Sequence, residues 1–435
     1  MIATRPLRCV LFCGALYLFI FLSINREAAL FDFDPRYALV GMMVIAFMFS
    51  LHDASRKRNA RIAGEEKLLI VYYALILLSS FSLVKTTLPI DYGMLGNVAI
   101  LHLVNAFMFV LIILNKEAIK PSSVSKAICI AGIVLGISQI LVYCGVDIGA
   151  FLQSADTRTM AVDRGAGEHI NLFGQHFRVS GFAEDPNYAC FFNVLCAAVA
   201  LHVRRSHKML AAVTVAMSAL GIAFSWSRTV VFGSIAVAVF VAFAYSVPKI
   251  RKNILAIFPC IVALMALLLP ILKLTSLQTM DTRYTLWTNA YHLFLDSPVI
   301  GSGLTSFRSY NSLMQSGWYV HPHSSYWETM SEFGIIAFVV LVAIFVLAMQ
   351  RTKTPFASFL VAAFVLFSVN FDCTYLQMSI VVLVLVPAFA EIETAKDDRE
   401  PAARAGRLVF VASTARLTRS LHREAMYPCK PKAEL

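Results

Sequence analysis

Long apolar segments recur along this chain and are separated by mostly short polar segments. An α-helix of about 20 apolar residues crosses the roughly 30 Å hydrocarbon core of a lipid bilayer. The pattern predicts twelve such helices, at residues 7–24, 37–51, 68–84, 95–114, 127–145, 188–203, 209–225, 229–247, 254–274, 332–350, 355–370 and 374–392. We therefore predict an all-α polytopic membrane protein.

The first apolar segment permits a second interpretation, because Arg5 and Arg8 precede its core as in a signal peptide. Its apolar run is long for a signal peptide, and no clear cleavage site of small residues follows it. We interpret this segment as a membrane helix.

Composition excludes an ordinary soluble globular protein, since 59% of the residues are hydrophobic and 14% are charged. Ionisable residues are scarce within the predicted helices, and His102 is the clearest exception. A transporter of charged substrates normally carries such residues near the middle of the membrane, so we expect any chemistry to occur at a membrane surface. The nine cysteines show no zinc-binding spacing, and we expect no disulfide.

Lysine and arginine set the predicted orientation. With a cytoplasmic N-terminus, 27 of the 37 Lys and Arg residues fall in cytoplasmic segments, and every cytoplasmic loop is basic. The C-terminus is then also cytoplasmic, so we assign residues 1–395 to the membrane domain and 396–435 to a basic cytoplasmic tail. The net charge of +11 is expected to face anionic lipids rather than nucleic acid, because no basic–aromatic stripe exists outside the loops.

Two long polar segments, 146–187 and 275–331, lie on the outer side in this orientation. Loops of this length within a compact fold are usually functional. The second is predicted to be partly helical, because Trp287 and its aromatic neighbours follow helical spacing over 283–295. That stretch predicts an amphipathic helix on the membrane surface, followed by a short helix that ends near Gln315.

Three arginines lie at or near the outer ends of the predicted helices: Arg178, Arg228 and Arg283. Guanidinium groups bind phosphate bidentately, so several of them at a membrane surface indicate an anionic lipid head group. Structural alternatives stay open, because Arg178 could pair with Glu184 or Asp185 and Arg228 could extend to the lipid head groups. Arg283 begins a predicted helix, where its charge opposes the helix dipole, so capping does not account for it.

The segment His321-Pro-His323 ends the second long loop. Imidazole is the natural general base near neutral pH, and we expect His323 to take a proton while His321 is structural. A surface or helix-capping role is the alternative for His323. Glu328 and Glu332 follow and are candidates for orienting His323 or neutralising an arginine.

Two other polar sets give weaker signals. Asp185 and Asn187 fit the start of a helix, where either side chain would cap the first amides. Asp32 and Asp34 form a single Asp-x-Asp pair, for which a solvated loop is the alternative to a metal site.

Four blocks of sequence follow one another over about residues 175–345. They are Arg178-x-x-Gly-Phe-x-x-Asp-Pro-Asn187, Ser-x-Ser-Arg228, Arg283-x-x-x-Trp287 with Ser297-Pro-x-x-Gly301-x-Gly303-x-x-x-Phe307, and His323-Ser-x-Tyr326 with Glu332-x-Gly334. Together they resemble the O-antigen ligase/polymerase superfamily, although Ser324 stands where that family more often has Asn.

The resemblance implies a metal-independent glycosyltransferase without a cofactor, built as a GT-C-like helical bundle. Its donor would be a glycan on undecaprenyl pyrophosphate at the periplasmic leaflet of the bacterial inner membrane. Arg178 and Arg283 would bind the pyrophosphate, Arg228 would assist them, and His323 would act on the acceptor hydroxyl. Further candidates for supporting residues are Asp185, Asn187, His321, Tyr326 and Glu332.

Within this superfamily, a ligase moves O-antigen onto lipid A–core oligosaccharide, whereas a polymerase extends the lipid-linked glycan. Twelve predicted helices, moderate loops and no extra C-terminal periplasmic domain favour the ligase. A twelve-helix transporter or flippase would show two related halves, and the sequence has no internal repeat. A non-catalytic scaffold for polysaccharide assembly is a third alternative.

Overall fold

Helices dominate the computed structural model, which describes residues 4–25, 35–54, 64–85, 88–115, 118–146, 170–171, 174–175, 178–183, 185–272, 278–314, 320–371 and 382–383. These residues belong to one compact unit that ends at Pro387. The helices are α1 (Thr4–Ile24), α2 (Pro35–Ala54), α3 (Gly64–Ser80), α4 (Tyr92–Leu114), α5 (Pro121–Tyr143), α6 (Pro186–Val203), α7 (Lys208–Ser225), α8 (Arg228–Ser246), α9 (Arg251–Leu272), α10 (Gln278–Asp296), α11 (Ser306–Met314), α12 (Ser325–Arg351) and α13 (Pro355–Phe367).

The apolar helices follow the hydropathy pattern closely. Eight of them are long and apolar enough to cross a membrane, and three shorter apolar stretches cover Cys9–Ile24, Tyr37–Ser50 and Pro355–Phe367. These eleven coincide with the first eleven predicted helices, which confirms the helical prediction over this part of the chain, and the eight long ones indicate a membrane protein. The predicted helix over 374–392 lies almost entirely outside the described residues, as does the predicted tail over 396–435.

Two short strands in the first long loop depart from the all-helical prediction. β1 (Ile170–Asn171) pairs antiparallel with β2 (Gly174–Gln175), with Ile170 opposite Gln175. A strand of two residues is too short to show the alternating pattern by which strands are predicted from sequence.

The second long loop contains the two helices that the aromatic spacing indicated. α10 begins before the predicted start at residue 283, and α11 ends at Met314, close to the predicted end. Both lie beside α12, which also packs against α3, α9 and α13. α12 is therefore the central helix around which the second half of the described chain is arranged.

Close helix packing in the first half depends on small residues. α5, α6 and α7 pack against one another. A Cβ on Gly136 of α5 would meet Met217 Cβ at 2.8 Å, and one on Gly132 would meet Cys196 Cβ at 2.6 Å. Glycine lets helix backbones approach closely, which is the usual basis of helix association in membranes.

α12 is interrupted at Gly334, whose φ of 80° and ψ of 178° are not helical. The loop 297–303 docks at this interruption: Ile335 N donates to Pro298 O at 2.9 Å, and Gly303 N donates to Glu332 O at 2.9 Å. A Cβ on Gly301 would collide with the backbone of Glu332, and one on Gly334 would collide with the backbone of Val299. The block that contains Gly301 and Gly303 and the block Glu332-x-Gly334 therefore pack against each other through their backbones.

Candidate functional site

The loop over 178–183 is fixed to the ends of two membrane helices. Gln139 Nε2 of α5 donates to Val179 O at 3.1 Å, and Phe182 N donates to Ser138 Oγ at 3.0 Å. Val179 N donates to Phe224 O of α7 at 3.1 Å. These bonds set the position of Arg178, and nothing in the sequence singles out Ser138 or Gln139, which lie inside an apolar helix.

Arg178 binds two neutral oxygens. Its Nε donates to Ser225 O at 3.0 Å and its Nη2 donates to Asn187 Oδ1 at 2.6 Å. The same Asn187 oxygen accepts from Ser227 Oγ at 2.8 Å. Asn187 therefore connects the Arg178 loop to the turn between α7 and α8. The sequence predicted a capping role for Asn187 and not this connection.

Asp185 caps α6 rather than pairing with Arg178. Its Oδ1 accepts from Asn187 N at 2.7 Å, and Pro186 occupies the first helical turn. An acidic N-cap followed by proline is a favourable helix start, because the carboxylate satisfies an amide that lacks a helical partner. The other partner that the sequence offered for Arg178 is Glu184, which lies outside the described residues.

Arg283 lies in α10 and is held in a similar way to Arg178. Its Nη1 donates to Asn370 Oδ1 at 2.7 Å. Asn370 follows the end of α13 and was not among the predicted site residues. An asparagine after an apolar helix gives no signal in sequence, since its partner lies 87 positions earlier in the chain.

The two guanidinium groups share one electrostatic environment. Burial lowers the pKa of Arg178, and the Asp185 carboxylate opposes that shift. Burial also lowers the pKa of Arg283, Asp185 and Tyr188 oppose it, and the positive charge of Arg178 lowers it further. Within the described residues, neither arginine forms an ion pair with a carboxylate. The region is therefore positively charged and partly desolvated, which favours an anion.

His323 adopts a backbone conformation that is uncommon for residues other than glycine, with φ of 50°. Such conformations persist only where the surrounding structure imposes them, and they are concentrated at functional sites. The ring of His323 lies 4.1 Å from that of His321, measured between centroids, and is partly exposed.

Hydrogen bonds on both sides fix the His323 segment. Trp287 Nε1 of α10 donates to Pro322 O at 3.0 Å. Ser325 N lies 2.9 Å from Ser368 O and 3.0 Å from Phe371 O, and Ser325 Oγ donates to Phe371 O at 2.8 Å. These hydrogen bonds determine the position of His323 relative to α10 and the end of α13.

The segment 368–371 thereby connects the predicted base to a predicted cation. Asn370 binds Arg283, while its neighbours Ser368 and Phe371 bind Ser325. Trp287, one helical turn after Arg283, binds the carbonyl before His323. Tyr188, the residue after Asn187, packs against Phe371 with 5.1 Å between ring centroids, so the Arg178 partner also adjoins this segment.

The remaining candidates have different environments. Tyr326 is fully buried and its hydroxyl donates to Val365 O at 3.1 Å, so it joins α12 to α13. Both oxygens of Glu332 accept from backbone amides at the start of α11, from Thr305 N at 3.0 Å and Phe307 N at 3.2 Å.

Arg228 is exposed as the first residue of α8, next to Ser227. Of the described residues, none accepts a hydrogen bond from it.

The described residues do not test the possible metal site at Asp32 and Asp34. Asp32 and Asp34 lie outside them. Over the described ranges, no three His, Cys, Asp or Glu side chains are grouped so that they could hold a metal ion.

Comparison with known families gives one match. Residues 192–342 match the model of the family described as O-Antigen ligase, a range that includes Arg228, Arg283 and His323. No curated protein and no solved structure matches the chain. The family match confirms the resemblance to the O-antigen ligase/polymerase superfamily and indicates a function of the ligase or polymerase type.

Proposed function

We propose that the protein transfers O-antigen polysaccharide from undecaprenyl pyrophosphate to lipid A–core oligosaccharide at the periplasmic face of the bacterial inner membrane. One observation carries this proposal: Arg178 and Arg283 are partly buried within electrostatic reach of each other, beside the segment that presents His323. The match to the O-antigen ligase family supports the same class of reaction.

The arginines act on the donor. Breaking the bond between the anomeric carbon and the pyrophosphate leaves negative charge on the departing oxygen. Fixed cations in a partly desolvated site stabilise that charge, because they need no rearrangement as it develops. Arg178 and Arg283 hold the pyrophosphate, and the exposed Arg228 assists from the start of α8. The donor carries its own leaving group, so no nucleotide or other cofactor takes part.

His323 acts on the acceptor. Its neutral imidazole takes the proton of an acceptor hydroxyl while the oxygen attacks the anomeric carbon. A new glycosidic bond forms, the bond to the pyrophosphate breaks, and undecaprenyl pyrophosphate departs with the bonding electrons. A direct attack of this kind inverts the configuration at the anomeric carbon.

The transfer requires no metal ion in this account. Purified protein should keep its transfer rate in EDTA. A loss of rate that added Mg²⁺ restores would return Asp32 and Asp34 to consideration as metal ligands.

One experiment separates the ligase from the polymerase of the same superfamily. Purified protein in proteoliposomes receives lipid-linked O-antigen together with either lipid A–core oligosaccharide or a second lipid-linked unit. The ligase proposal predicts polysaccharide on lipid A–core. A longer lipid-linked glycan as the only product would establish the polymerase, and movement of the donor between leaflets without a new glycosidic bond would establish a flippase.

A further inference from the structure

The two arginines of the site have the same kind of partner, an asparagine side-chain oxygen. Arg178 Nη2 donates to Asn187 Oδ1 at 2.6 Å, and Arg283 Nη1 donates to Asn370 Oδ1 at 2.7 Å. The two asparagines come from different parts of the chain, at the start of α6 and just after α13. The shared arrangement therefore does not come from one local motif.

Hydrogen-bond geometry alone does not explain why both partners are asparagine. Asn187 Oδ1 accepts from Arg178 and from Ser227 Oγ, and an aspartate oxygen in its place would accept both. Asn370 likewise acts as an acceptor towards Arg283. A carboxylate of the same shape would bind a guanidinium more strongly than an amide does.

The difference between the two side chains is charge. A carboxylate would form an ion pair with the guanidinium and cancel much of its attraction for another anion. An amide oxygen fixes the same group without cancelling its charge, and the remaining N–H donors of the guanidinium stay available. The one described carboxylate near both arginines, Asp185, has an oxygen directed to the first amides of α6 instead.

We propose that Asn187 and Asn370 are neutral positioning residues: each fixes one guanidinium group while leaving its positive charge for the diphosphate of the lipid donor. This inference rests on the function proposed above. It adds two specific residues, Asn187 and Asn370, and a reason why each is an amide rather than a carboxylate.

The test compares Asn370→Asp with Asn370→Ala. Affinity for undecaprenyl pyrophosphate in detergent micelles is measured for each variant, with undecaprenol as a probe for the lipid tail alone. We expect Asn370→Asp to weaken binding of the diphosphate by about tenfold or more, and by a larger factor than Asn370→Ala, because it neutralises Arg283 as well as contacting it. Binding of undecaprenol should not change. The KM for the donor should rise and kcat should fall, both by a larger factor for Asn370→Asp than for Asn370→Ala, because the charge of Arg283 also stabilises the departing pyrophosphate.

Thr288→Asp is the matched control, because it adds the same charge to an exposed position of α10 without contacting Arg283. It should bind the donor as the wild type does. Asn187→Asp and Asn187→Ala repeat the comparison at Arg178, so the ordering is tested even if one variant at position 370 does not fold.

The opposite ordering overturns the inference. If the hydrogen bond alone matters, Asn370→Asp binds the diphosphate as tightly as Asn370→Ala or more tightly. Failure of the proposed function gives a separate result, since Arg283→Ala itself would then leave donor affinity unchanged.

Discussion

At the residue scale, hydrogen bonds from neighbouring elements hold Arg178, Arg283 and the His323 segment in place. Arg178 depends on Asn187, and Arg283 depends on Asn370. His323 depends on the Trp287 bond to the preceding carbonyl. Arginine and histidine could be selected as candidates from the sequence because they have few other reasons to collect at a membrane surface. Of their partners, Asn187 was a predicted supporting residue with a capping role and Trp287 stood in a sequence block, whereas Asn370 was not identified, since an asparagine after an apolar helix is an ordinary loop residue.

His323→Ala should lower the transfer rate by about 10²–10⁴-fold, because a general base contributes roughly that much to proton transfer. Donor affinity should stay near the wild-type value. Rates are measured with purified protein, lipid-linked O-antigen and lipid A–core. His207→Ala, before α7 and outside the proposed site, is the control. A His323→Ala protein that works at the wild-type rate would remove the histidine from the mechanism.

Arg178→Ala and Arg283→Ala should each weaken binding of undecaprenyl pyrophosphate by about tenfold or more, because each removes charge-assisted hydrogen bonds. Lysine at either position should restore binding only in part, since an ammonium group cannot reproduce the planar bidentate contact. Binding to immobilised protein measures both effects. Unchanged affinity in both alanine variants would contradict the assignment of these arginines to the donor.

Arg283→Gln should make the protein without substrate more stable, by about 0.5–2 kcal/mol. Burial lowers the pKa of Arg283, which means that the folded state holds this proton less tightly than the unfolded state. The charge therefore costs stability at every pH at which both states are protonated, including neutral pH, and only strongly alkaline pH relieves the cost.

Thermal unfolding with and without undecaprenyl pyrophosphate checks this prediction. The wild type should gain stability from the ligand, and Arg283→Gln should gain much less. A variant that unfolds at a lower temperature than the wild type, yet keeps the full stabilisation by ligand, would show that Arg283 is a structural residue.

At the scale of elements, the interruption of α12 organises the second half of the site. The loop 297–303 packs against the backbone at Gly334. Both carboxylate oxygens of Glu332 accept hydrogen bonds from amides at the start of α11. The sequence predicted a helix over 332–350 but not the helical segment that begins at Ser325, because residues 325–332 are too polar to form part of an apolar run. Gly301 and Gly334 were visible in the sequence blocks, but their mutual packing requires the tertiary structure.

Gly334→Ala should destabilise the protein by about 3 kcal/mol, because it combines a positive φ with a collision against the backbone of Val299. Gly96→Ala in α4 is the matched control, since a Cβ there meets nothing within 4 Å. The control should be neutral or slightly stabilising. Thermal unfolding in detergent gives both values, and equal stabilities for the two variants would show that the docked loop does not constrain α12.

At the scale of the whole molecule, the hydropathy pattern predicted the described apolar helices reliably. The orientation of the chain across the membrane is still a prediction. The eleven described apolar helices were predictable because each must present a long apolar stretch to lipid. The short β1–β2 pair and the contact between Asn370 and Arg283 were not, because neither has a periodic signal.

The predicted orientation places Thr288 of α10 outside and Ser206, between α6 and α7, inside; both positions are exposed. In a background without native cysteines, Thr288→Cys should react with a membrane-impermeant maleimide in intact spheroplasts. Ser206→Cys should react only after the membrane is permeabilised. The reverse pattern would place the proposed site on the cytoplasmic side and exclude a periplasmic transfer.

The decisive measurement is a structure of the protein with undecaprenyl pyrophosphate bound. We expect the guanidinium groups of Arg178 and Arg283 both to lie within hydrogen-bonding distance of one diphosphate, and the sugar end of the donor site to face His323. A diphosphate held away from both arginines, or a His323 ring turned away from the donor site, would contradict it.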